Sequence, residues 1–134
     1  MRFFIVLTLC LYASIMASCS HQTGTDQRRP ADEASGKQLY QWMQTRVEMM
    51  VRHKASCSDM AQTLIKSQNE ARTQLKKWRA QGAGEWLKLH AQHNQDFDKE
   101  LTRLISKGDL VYYHCAYQES FRNQLANGAD FTEP

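Results

Sequence analysis

The chain has 134 residues, a length that suits a single domain. With only six Gly and two Pro, and 42% hydrophobic residues, it reads as a helical globular chain rather than a disordered or all-β one. The net charge of +3 is weak, and no arginine-rich run or RNA-binding signature argues for nucleic acid as a partner.

The first residues do not belong to the fold. Met1-Arg2 makes a short basic start, and FFIVLTLCLYASIM, Phe3 to Met16, is apolar or small throughout. That run is shorter than the ~20 residues a bilayer-spanning helix needs. It fits the apolar region of a secretory signal peptide, and the small residues Ala17 and Ser18 follow it. A buried core helix is the competing reading, and the absence of any polar face speaks against it.

The stretch MASC, Met16 to Cys19, resembles the lipobox of bacterial lipoproteins. Ala17, Ser18 and Cys19 match the pattern, and Met16 stands where that family usually has Leu. The resemblance implies cleavage before Cys19 and attachment of a diacylglycerol thioether to its sulfur, giving an acylated N-terminus. Ser20 resembles the residue that follows the cysteine in lipoproteins sent to the outer membrane. The resemblance covers the signal segment alone.

Cysteine parity points the same way. Of Cys10, Cys19, Cys57 and Cys115, Cys10 leaves with the signal peptide. If Cys19 carries lipid, Cys57 and Cys115 remain as one pair, and export permits a disulfide between them. The expected organisation is therefore a signal peptide over 1–18, a lipidated N-terminus and flexible linker over 19–36, and a helical domain over 37–134. Ser20 to Gly36 is polar and lacks apolar periodicity, as a tether would be. Arg28-Arg29 within it can touch anionic headgroups, although such a pair is more often solvated.

Four helical patterns follow. Leu39, Met43, Val47, Met50 and Val51 recur at spacings of three and four, predicting a helix over about 35–55. Met60, Leu64, Ala71, Leu75 and Trp78 predict a second over about 59–80, with Ser56 or Ser58 as its cap. QGAG, Gln81 to Gly84, breaks the chain. Trp86, Leu89, Phe97, Leu101, Leu104 and Ile105 predict a third over about 85–107, stopped at Gly108. Asp109 can cap a fourth over about 110–126, where Leu110, Tyr117, Phe121 and Leu125 line up. Short connections favour antiparallel neighbours, so the expected fold is all-α, an up-down-up-down four-helix bundle. In that topology Cys57 and Cys115 fall at one end and can be bridged.

Candidate chemistry is sparse. His53 and Cys57 are spaced i, i+4, and His114 and Cys115 would fall at the same end. Imidazole and thiolate suit zinc or copper. However, adjacent helical residues point about 100° apart, and a disulfide consumes both thiolates. His90 and His93 form H-x-x-H, with both side chains expected on the core side and no E-x-x-H partner. The basic run Arg72, Lys76, Lys77 and Arg79 could face an anionic partner or headgroups. It equally complements a helix C-terminus, with Trp78 in the buried stripe. No catalytic fingerprint occurs, and a bundle this small leaves little room for a cleft. The reading that results is a non-enzymatic, lipid-anchored envelope module without cofactor. It would sit on the outer membrane facing the periplasm, with an envelope protein as partner. The alternative is a periplasmic bundle that binds metal or haem through His53, His90, His93 or His114.

Overall fold

A computed structural model describes residues 31–128, and these fold as five α-helices with no strand among the described residues. Cys19 and the rest of the expected signal and linker segment up to residue 30 lie outside the described residues, as do 129–134.

Helix α1 (Glu33–Arg52) starts where Asp32 accepts the backbone N–H of Ser35 at 3.0 Å and also its hydroxyl. This is an N-cap that satisfies donors the first turn leaves open. The segment 33–36, expected in the linker, is therefore helical, and Ser35 and Gly36 are buried. Helix α2 (Cys57–Ala80) is capped by Ser56, whose hydroxyl accepts from Asp59 N–H at 3.3 Å. It ends at Gln81, and Gly82 turns the chain with φ 77°, a left-handed conformation that suits glycine.

The expected third helix is not one helix. Helix α3 (Ala83–His93) stops at Asn94, whose side-chain oxygen accepts from Phe97 N–H at 3.1 Å and opens helix α4 (Gln95–Ala116). Helix α4 then runs through Gly108 and Asp109 without a break. Gly108 is no stop signal here. Its bare backbone lets α4 approach α1, where an added Cβ would stand 3.0 Å from Val47 Cγ2. The helix is interrupted instead at Tyr117-Gln118, before α5 (Glu119–Gly128). Arg122 donates to the carbonyls of Ala116 and Tyr117 at 3.0 Å each, closing the open end of α4.

Helices α1 and α2 run antiparallel. Trp78 Nε1 donates to Gln38 Oε1 at 2.9 Å, and further along, Arg46 Nη1 donates to Gln68 Oε1 at 3.3 Å. Two apolar clusters lie along this pair. One joins Val47 and Met50 of α1, Met60, Ala61 and Leu64 of α2, Cys115 of α4 and Phe121 of α5. The other joins Leu39 of α1, Trp78 of α2, and Ala83 and Leu87 of α3. Burying a side chain such as Phe121 or Met60 contributes roughly 1.5–3 kcal/mol. The continuity of α4 resets its buried face to Leu101, Gly108 and Cys115. Leu110 and Tyr117, expected inside, are 75% and 83% exposed, and Leu89 on α3 is 38% exposed. No described helix is long and apolar enough to cross a membrane.

Candidate functional site

The two ends of the α1–α2 pair differ in chemistry. At one end Cys57, the first residue of α2, is disulfide-bonded to Cys115 near the end of α4, with Cα atoms 5.4 Å apart. Cys115 is fully buried and packs in the first cluster. The expected bridge therefore forms, although Cys115 sits late in a long helix rather than early in a short one.

At the other end the described residues begin. Asp32 N–H donates to Gln81 O at 3.3 Å, and the Ser35 hydroxyl, besides Asp32, meets Gln81 Oε1 at 2.6 Å. This start is thus fastened to the C-cap of α2. The Ser35 hydroxyl, then its N–H, holds the Asp32 carboxyl below the usual carboxylate range. Glu33 pairs with Lys37 at 2.6 Å on the exposed face, and this contact lowers the Glu33 carboxyl too. The last turns of α2 carry Lys76, Lys77 and Arg79, all exposed. Trp78 between them is buried against α1, not part of that surface.

The histidines do not converge. His53 caps the end of α1 and is half-buried, while His114 is exposed beside the disulfide. Both cysteines there are already bonded to each other. His90 stacks on Trp86 with ring centroids 4.5 Å apart and meets Phe97 edge-on at 4.6 Å. His93, expected to face the core, is exposed at the end of α3. The early end of α3 at Asn94 is the reason, since it removes the core that a longer helix would have offered. Among the described residues no group of three or more His, Cys, Asp or Glu is arranged to hold a metal ion.

Two features escape a reading of the sequence. The first is Arg46, on α1 between the positions that feed the two clusters. It is half-buried, reaches Gln68 on α2, and lies 5.1 Å from the Trp42 ring centroid. No carboxylate pairs with it among the described residues. Loss of water lowers its pKa to about 10, opposed by the neighbouring Tyr112 phenol. It stays charged at neutral pH. The only sequence cue is an arginine one residue before a stripe valine. The second is an open groove of about 670 Å³ where α3 meets α4, floored by Ala91, Leu101 and Ile105 and rimmed by Lys88, His93 and Asp98. It lies at the break at Asn94, where α3 ends and α4 begins.

No family model matches the chain, and neither do any curated proteins or solved structures.

Proposed function

We propose that the chain is a bacterial envelope lipoprotein, anchored through acylated Cys19, whose helical domain is a non-enzymatic interaction module. In this reading the signal segment over 1–18 is removed and lipid holds the new N-terminus in the outer membrane. The five helices act as one disulfide-pinned bundle on the periplasmic side, presented to an envelope protein. The observation that carries the reading is MASC, Met16 to Cys19, directly after a 14-residue apolar run.

The cysteine pairing supports it. Cys57 and Cys115 are bonded to each other, so Cys19 has neither of them as a partner. A two-chain acyl anchor is strong, since each buried methylene contributes ~0.8 kcal/mol. The test is the mass of the N-terminal peptide of the exported protein. The expected result is a diacylglyceryl-modified Cys19 at the new N-terminus. An unmodified Cys19 inside an intact or differently cut chain contradicts the proposal.

A further inference from the structure

We propose that the end of the bundle where the described residues begin is a membrane-docking face, at which Lys76, Lys77 and Arg79 engage anionic lipid headgroups of the bilayer that holds Cys19. This rests on the lipid-anchored reading and adds an orientation to it.

The juxtaposition is specific. Asp32 and Ser35, at the start of the described residues, are hydrogen-bonded to Gln81. Gln81 is the residue directly after the turns that carry the three cations. Whatever tethers residue 31 to a bilayer tethers those cations with it. From Cys19 to Asp32 the chain can reach at most about 45 Å when fully extended, so the domain stays close to the membrane surface.

The charges at this end favour the bilayer. Lys76, Lys77 and Arg79 are exposed and pair with no carboxylate among the described residues. Of the nearby acids, Glu33 is paired with Lys37, whereas Asp32, capping α1, and Glu85, exposed in the first turn of α3, keep their charges, two against the three cations. Attraction between basic side chains and anionic headgroups fades within a screening length of about 8 Å at physiological salt. Such a patch is too weak to recruit a free protein. On a chain already confined by lipid, it decides which end of the bundle meets the surface and which end, with the Cys57–Cys115 bridge, points away.

The experiment uses the acylated mature protein in vesicles of phosphatidylcholine alone and of phosphatidylcholine mixed with phosphatidylglycerol. Flotation checks the anchor. Amine-reactive labelling, read by peptide mass, then compares Lys76 and Lys77 with Lys54, which lies in the turn at the disulfide end. Docking predicts that anionic vesicles slow labelling of Lys76 and Lys77 relative to Lys54 by roughly fivefold, about the effect of one basic residue near the surface. That protection disappears in about 1 M salt, where the screening length falls to ~3 Å. Lys77→Glu with Arg79→Glu, both at exposed positions, leaves flotation intact and removes protection of Lys76. Equal labelling ratios in both vesicle types, in a chain that floats, overturn the docking face and leave the anchor standing. A chain that does not float overturns both. Protection of Lys76 by added polyglutamate on neutral vesicles, with none from anionic lipid, overturns the lipid assignment in favour of an acidic protein partner.

Discussion

Gly36 on α1 lies directly against the indole of Trp86 on α3. A Cβ added to Gly36 would stand 2.9 Å from Trp86 Cγ and closer still to Cδ2 and Cε3. The same indole carries His90 on its face and Phe97 at its edge. One missing side chain therefore sets the spacing between α1 and α3 and shapes the aromatic group beyond it. Gly36→Ala is expected to destabilise the protein by about 1–3 kcal/mol through overpacking, despite the better helix propensity of alanine. Gly108→Ala meets Val47 Cγ2 at 3.0 Å and Met50 Cε at 3.5 Å. It should stay within about 1 kcal/mol of the parent, because propensity offsets a milder crowding. Urea melts of the two variants make the comparison. Equal stabilities would contradict the close packing of Gly36.

The Cys57–Cys115 bridge spans 58 residues. Loop-closure entropy in the unfolded chain then gives a stabilisation of about 4 kcal/mol. Replacing both cysteines with alanine should lower Tm by ~15 °C or more in a domain of this size. Scanning calorimetry reads it. A fall of only a few degrees would mean that the apolar packing of Met60 and Phe121 holds this end without the bond.

Arg46 makes a prediction about pH. Burial lowers the pKa of the guanidinium from its ordinary value to about 10. A lowered base pKa means that the charged form is disfavoured by folding. The cost is full below the folded pKa and is relieved as pH rises towards the unfolded value. In the parent this relief lies above neutral and mildly alkaline pH. In Arg46→Lys it moves down, because an ammonium starts from an unfolded value near 10.4 and burial lowers it from there. The variant is expected to be less stable than the parent by ~1 kcal/mol at neutral pH, having lost the guanidinium's hydrogen bond to Gln68 and its place over the Trp42 ring. The gap should narrow between about pH 7 and about pH 9.5. Thermal melts across that range check it. A gap that stays constant or widens would mean that water reaches this position freely.

The helical class, the α1 and α2 stripes, the Ser56 cap and the Gly82 turn are legible because each depends on local periodicity or local hydrogen bonding. Gly108 has the look of a helix stop but is a contact point between α1 and α4, and a glycine does not announce which of the two it is. Once α4 runs on, Leu110 and Tyr117 rotate out of the core. The true break at Asn94 carried a signal in HNQDF: an asparagine three residues before Phe97, with Asp96 in the first turn. The strong Leu and Phe stripe on either side of it concealed the change of helix. Asp32 and Ser35 were similarly hidden in a polar stretch, although Asp32-x-x-Ser35 is a capping spacing. The half-buried position of Arg46 and the groove between α3 and α4 arise from helix–helix geometry, which periodicity does not encode.

The central claim is that lipid on Cys19 holds the protein at the membrane. Replacing Cys19 with alanine and separating membrane from soluble fractions tests it most directly. The disulfide and the described helices do not involve this residue, so the domain should fold in both forms. The account predicts that the parent sediments with the membranes and that Cys19→Ala is recovered soluble or as an uncleaved precursor. A Cys19→Ala protein that is processed normally and stays with the membrane fraction as the parent does would contradict it.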